Sequence, residues 1–246
     1  MARKTGSAVV REPTRRGATI RMLFIAGATA ATLVAAGACS ESLDADEALH
    51  ATSMSVFAGD LQSAEVARPT LNPLTVEVRD QHGRLMAGVT VNFVTTGNAS
   101  ILGNPAISDS FGQAGVLYTM GTVSGPYTVT ASASGVNDQP AFTLTARPGP
   151  AINMQKHDGD SQTARAGTQL PAPFVAKILD VFGNPIAGQT VTWVAIGGGT
   201  LSQSTSVTDA NGEASVFLTL GSSPGTQTVV ARAPNVPDVQ FLAIAN

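Results

Sequence analysis

The sequence predicts an all-β protein: two tandem antiparallel β-sandwiches with Greek-key links, preceded by a signal segment. Three observations carry this. The run Asp80-Gln81-His82-Gly83, followed by Gly88 to Val94, returns one hundred residues later as Asp180-Val181-Phe182-Gly183 followed by Gly188 to Val194. Alternating apolar residues lead into each copy, Leu74, Val76 and Val78 in one and Phe174, Ala176 and Ile178 in the other. That period of two marks a strand with one buried face. Finally, only 13% of the 246 residues are charged and 5% aromatic, while Gly, Thr, Ser, Val and Ala dominate. Such a composition suits short strands and many turns rather than helices.

The N-terminal stretch reads as an export signal spanning 1–38. Residues 1–21 are basic and irregular, and Met22 to Ala38 form one apolar run ending in small residues. A charged region, a short apolar region and a small-residue cleavage site describe a secretory signal. The run is slightly shorter than the roughly 20 residues of a spanning helix; an uncleaved membrane anchor is the competing reading. Cys39 follows at once and is the only cysteine, so no intramolecular disulfide can form. Ala36-Gly37-Ala38-Cys39 resembles a bacterial lipobox, with Ala36 where that motif prefers Leu. The resemblance implies lipidation of Cys39 and a membrane anchor. Several acyl chains hold firmly where one does not, at about 0.8 kcal/mol per buried methylene. Ser40 after the cysteine, by resemblance to lipoproteins of two-membrane bacteria, implies the outer membrane. A plain signal peptide with an incidental cysteine is the alternative. Residues 39–50 then form a short acidic tether.

Two repeats occupy the rest, at 51–146 and 151–246. Met54, Gly59, Asp60 and Gln62 match Met154, Gly159, Asp160 and Gln162; Asp109, Gly112, Ala114 and Val116 match Asp209, Gly212, Ala214 and Val216. The register slips by one near the last strand, aligning Phe142 with Phe241. So long a period means two copies of one domain, not a short-repeat solenoid. In the second copy, apolar runs fall near 151–156, 162–166, 173–180, 189–196, 204–208, 213–220, 226–233 and 239–245, two of them read as parts of one bent strand. Inward positions are expected at Val91, Phe93, Val191, Trp193, Ala214, Val216, Leu218, Leu220, Val229, Ala231 and Ala233. Each Asp opens a turn whose exit Gly tolerates positive φ: Asp80 with Gly83, Asp109 with Gly112, Asp180 with Gly183, Asp209 with Gly212. Asn211-Gly212 carries a hairpin signal. The linker, residues 147–150 (Arg-Pro-Gly-Pro), is stiffened by two prolines and softened at Gly149, so few contacts are expected across it.

Taken in order, Asp-x-x-Gly, Gly-x-x-Val-x-Phe/Trp, Thr/Ser-Asp-x-x-Gly-x-Ala and Gly-x-x-Thr-Val-x-Ala resemble the bacterial Ig-like (Big-1) domains repeated in intimin- and invasin-like surface proteins. The resemblance covers nearly all of 51–246. It implies an Ig-like sandwich in each copy and an exported envelope protein with an adhesive or spacer role. The β-barrel anchor and lectin-like tip of the large adhesins are not seen in this sequence, so a receptor does not transfer with the fold.

Chemistry is sparse. His50, His82 and His157 stand singly, and no four-ligand set for zinc is spaced along the chain. Asp158-Gly159-Asp160 begins like a calcium loop and lacks the glycine and glutamate that complete one, so a polar turn is expected. No Gly-x-Ser-x-Gly elbow or phosphate-cradling loop occurs. From residue 39 onward 8 basic residues face 16 acidic ones, a balance of −8, which argues against nucleic acid. The expectation is therefore a non-enzymatic lipoprotein with no cofactor and no metal, whose ligand at the cell surface is an unidentified protein or glycan. A carbohydrate- or polymer-binding module and an accessory subunit of an envelope complex are the alternatives.

Overall fold

A computed structural model describes residues 47–246. The signal segment, Cys39 and most of the acidic tether lie outside the described residues. Every regular element among those described is a strand.

The first repeat comprises β1 (Ala51–Ala58), β2 (Ser63–Glu65), β3 (Leu74–Asp80), β4 (Thr90–Thr95), β5 (Ser100–Leu102), β6 (Ala106–Ile107), β7 (Gln113–Thr119), β8 (Gly125–Ala133) and β9 (Ala141–Arg147). They form two facing sheets, ordered β1-β3-β7-β5 and β2-β9-β8-β4-β6. The chain enters in the first sheet and changes sheet at Gly59. There β1 ends in a bulge, and β2 pairs parallel with β9 from Ser63↔Thr145 to Glu65↔Arg147. All other ladders are antiparallel.

The second repeat follows the same plan with β10 (Asn153–Asp158), β11 (Gln162–Ala164), β12 (Phe174–Leu179), β13 (Thr190–Ile196), β14 (Thr200–Leu201), β15 (Thr205–Val207), β16 (Glu213–Val216), β17 (Leu218–Thr219), β18 (Gly225–Arg232) and β19 (Val239–Ala245). Its sheets are β10-β12-β16 and β11-β19-β18-β13-β15, with β14 and β17 paired apart. The counterpart of the continuous β7 is broken between Val216 and Leu218, so the run expected over 213–220 is two short strands.

Alternation along the strands builds two separate cores. In β3, Leu74, Val76 and Val78 are fully buried; in β12, Phe174, Ala176 and Ile178 are. Phe93 meets Phe142 at 6.4 Å between ring centroids in the first core. In the second, Phe241 lies 5.0 Å from Phe174 and 5.9 Å from Trp193. Tilted aromatic pairs of this kind add about 0.5–1.5 kcal/mol each beyond their buried area. Trp193 is 2% exposed and donates its indole N–H to Ser206 Oγ at 2.8 Å. Of the inward positions expected from sequence, only Ala233 is partly rather than fully buried.

The hairpin expected at Asn211-Gly212 is not formed. The turn closes locally, with Gly212 N–H donating to Asp209 O and Asp209 N–H to Glu213 O, both at 3.0 Å. The flanking strands then part, β15 pairing with β13 and β16 with β12 in the opposite sheet. Asn-Gly specifies a backbone conformation at the turn. Which strands pair is decided by the apolar faces on either side, and here those faces belong to different sheets.

Candidate functional site

Four Asp-x-x-Gly turns share one geometry. In each, one carboxylate oxygen accepts two backbone N–H groups. Asp80 Oδ1 takes those of His82 and Arg84, both at 2.9 Å. Asp109 takes Phe111 and Gln113 at 2.8 and 3.0 Å. Asp180 takes Phe182 and Asn184, both at 2.8 Å, and Asp209 takes Asn211 and Glu213 at 2.9 and 3.0 Å. The exit glycines Gly83, Gly112, Gly183 and Gly212 all have φ between 68° and 83°, the left-handed region glycine enters without a Cβ penalty. A carboxylate accepting several N–H groups favours its charged form. At Asp80 burial opposes ionisation, but these amides and the Arg84 side chain outweigh it and hold the carboxyl below its usual range. At Asp209 the Glu213 amide is the leading cause of the same downward shift.

Asp180 does more than close its turn. It is 3% exposed, and its second oxygen accepts the linker N–H of Gly149 at 2.9 Å and the Asn184 Nδ2 at 2.9 Å. Burial disfavours its charge, yet the Asn184 side chain and the amides of Gly149, Asn184 and Phe182 prevail and lower its pKa. Asn184, itself 5% exposed, donates Nδ2 to Thr122 O at 2.9 Å and accepts the N–H of Ser124 on Oδ1 at 2.7 Å. The amide cannot sit the other way round, since its NH2 would then face the Ser124 N–H. Three hydrogen bonds therefore join the second repeat to the first repeat and the linker. This corrects the expectation of a soft joint at Gly149. The glycine N–H is tied to a carboxylate that sequence reading had assigned to the turn alone.

Two further devices repeat in both copies. Gln62 Nε2 donates to Gly59 O and Asn72 O, and its Oε1 accepts Asn72 N–H; Gln162 does the same with Gly159 and Ala172. Each glutamine staples the sheet-changing bend to the start of the next strand. Buried Ser108 and Thr208 donate to Met86 O and Ile186 O and accept the N–H groups of Val89 and Gln189. The period of 100 shows Gln62 and Gln162, but their backbone partners cannot be read from residue identity.

The remaining candidates stay apart. His82 is an exposed turn residue. Asp158 accepts the adjacent Gly159 N–H, while Asp160 pairs with Lys156 and accepts Leu242 N–H, so those two carboxylates are occupied locally. Among the described residues no group of three or more His, Cys, Asp or Glu side chains is placed to hold a metal. Tyr118, Tyr127 and Trp193, all the Tyr and Trp of the chain, are each at most 5% exposed. Beside the linker lies an open, largely apolar cleft lined by Arg147, Pro148, Pro185 and Ile186; no nucleophile–base pair faces it.

The chain is 33% identical over 190 residues to the inverse autotransporter adhesin YeeJ of Escherichia coli strain K12, covering 76% of this chain and 8% of that protein. It thus spans under a tenth of the length of that curated relative. Among solved structures it is similar to the Escherichia coli adhesin FdeC, with 21% identity, a TM-score of 0.45 and coverage of 80% of this chain and 66% of that one. The corresponding values for Yersinia pseudotuberculosis InvD are 16%, 0.49, 80% and 57%. The family model for the bacterial Ig-like domain (group 1) matches twice, over residues 69–145 and 158–241. With both repeats matched across more than half of its length, the chain belongs to the bacterial Ig-like domain, group 1, family.

Proposed function

We propose that this protein is a non-enzymatic lipoprotein of the cell envelope, anchored in the outer membrane through Cys39, whose two Ig-like domains form an adhesive or spacer module facing the surface. One observation carries the non-enzymatic reading. The carboxylates that recur between the repeats are consumed as acceptors of backbone N–H groups in turns, which fits scaffolding and leaves them poorly placed as general bases. The adhesive or spacer role is supported by family membership and by likeness to a protein named an adhesin. The ligand is an unidentified surface protein or glycan. A sugar-binding module would need exposed aromatic platforms; the burial of Tyr118, Tyr127 and Trp193 leaves only phenylalanines such as Phe57, Phe111 and Phe182 at the surface to form one.

The test is metabolic labelling with a palmitate analogue, followed by membrane fractionation. Cys39→Ser should lose the label and leave the membrane fraction. A variant that stayed equally membrane-bound would transfer the anchor to an uncleaved apolar helix. Glycan-array binding lost on substitution of exposed Phe57, Phe111 or Phe182 would replace the spacer reading with the sugar-binding one.

A further inference from the structure

We infer that the residue pair Asn184 and Ser124 is a lock that fixes the angle between the two domains, and that neither outer end of the tandem carries its counterpart. The lock is a side-chain amide that makes three hydrogen bonds, with both of its N–H donors used. Its NH2 serves Thr122 O and Asp180 Oδ2, and its oxygen takes the Ser124 N–H. Asp180 adds the Gly149 N–H, so the linker, the end of the first domain and the facing turn of the second share one network centred on two buried side chains, Asp180 and Asn184. Leaving a polar atom of buried Asp180 or Asn184 unpaired is costly, so small rotations about the linker are resisted together rather than one bond at a time.

The repeat is its own control. Across the shift of one hundred residues, Asn184 corresponds to Arg84 and Ser124 to Pro224. Arg84 satisfies its own turn by donating Nε to Asp80 Oδ2 at 3.1 Å, and its side chain remains 61% exposed. A guanidinium has only donors and cannot receive an N–H. Pro224 has no N–H to give. The outward turn of the first domain therefore lacks the acceptor, and the outward loop of the second lacks the donor. The same replacements show which substitutions these loops tolerate, because each already occurs in the sister domain. This inference does not depend on what the module binds.

The experiment is a spin-label distance measurement on the full chain carrying Cys39→Ser, with labels on Ala141→Cys and Gln240→Cys, exposed positions near matched points of the two domains. A single narrow distance distribution is expected. Asn184→Arg and Ser124→Pro should each widen it at least twofold, while Ser124→Ala, which keeps the N–H, should leave it unchanged. Unaltered Trp193 emission reports that the second domain is still folded in Asn184→Arg; Ser124→Pro perturbs the other domain, so the two variants do not share a folding failure. A broad distribution in the parent, widths unchanged in both variants, or equal widening by Ser124→Ala would each overturn the lock.

Discussion

Two glycines of the second domain separate backbone conformation from close contact. Gly183 has φ 83° and open space around the position of a Cβ. Gly212 has a similar φ of 75°, but a Cβ there would lie 2.7 Å from Ile178 O, 3.0 Å from Ile186 N and 3.1 Å from Pro185 Cβ. Left-handed strain costs a non-glycine residue about 1–2 kcal/mol, partly offset by a stiffer unfolded chain. Gly183→Ala should therefore cost about 1 kcal/mol. At Gly212 the clash is with backbone that is itself hydrogen-bonded: Ile186 N–H donates to Ile178 O, and Ile178 N–H to Gly212 O. Relieving it stretches both bonds, each worth roughly 0.5–1.5 kcal/mol, for a total of about 3 kcal/mol. The single tryptophan, Trp193, sits in the second core and reports that domain alone. With a urea dependence of about 1 kcal/mol/M for a domain of this size, the midpoint should fall by roughly 1 M in Gly183→Ala and roughly 3 M in Gly212→Ala. Equal shifts would refute the claim that close contact, rather than φ alone, reserves position 212 for glycine. Gly112→Ala, whose Cβ would lie 2.7 Å from Val78 O, loads the first domain and should leave the tryptophan transition in place.

Asp209→Asn keeps an oxygen for the Asn211 and Glu213 amides and removes only the charge, so its urea midpoint should lie much nearer the parent's than that of Gly212→Ala. A hydrolytic or transfer activity abolished by that change at unchanged stability would reverse the non-enzyme reading. Asp80, Asp180 and Asp209 have carboxyls held below the ordinary value. For a lowered pKa the stabilisation is complete above the unfolded value of about 3.9 and is lost as pH falls through the folded one. Midpoints measured from pH 7 down to pH 5 should thus stay nearly level with respect to these groups and drop below about pH 4; a decline confined to pH 5–7 would assign the acid sensitivity elsewhere.

The strand faces were legible because a period of two leaves its mark on residue identity. Val76, Phe93 and Trp193 are buried, as the alternation requires, and both cores can be traced from such runs. The turns were legible for a different reason: Asp and Gly at a fixed spacing have few other uses in a strand-rich chain. Sheet pairing around Asn211-Gly212 was not, because it depends on which faces the flanking strands cover. The joint was hidden more deeply. Matching the repeats draws attention to residues that agree, whereas Asn184 against Arg84 and Ser124 against Pro224 disagree. Their roles exist only once the Thr122–Ser124 loop is brought against the Asp180 turn, sixty residues apart for the Ser124–Asn184 bond.

The aspartate at the head of the turn shows how one motif can carry two tasks without conflict. Its Oδ1 is committed identically at Asp80 and Asp180, to the amides two and four residues ahead, and that commitment forms the turn. Its Oδ2 is free to differ. At Asp80 it meets the Arg84 guanidinium, a partner on an exposed side chain of the same turn. At Asp180 it meets the linker amide and a buried side-chain amide that reaches the neighbouring domain. Changing the residue four positions after the aspartate thus changes what the outer oxygen holds while the turn beneath stays intact. Domain folding and domain coupling are set by different atoms of one side chain. A duplicated domain can therefore acquire a fixed joint on one side alone, through Asn184 and Ser124, with its turn and core unaltered.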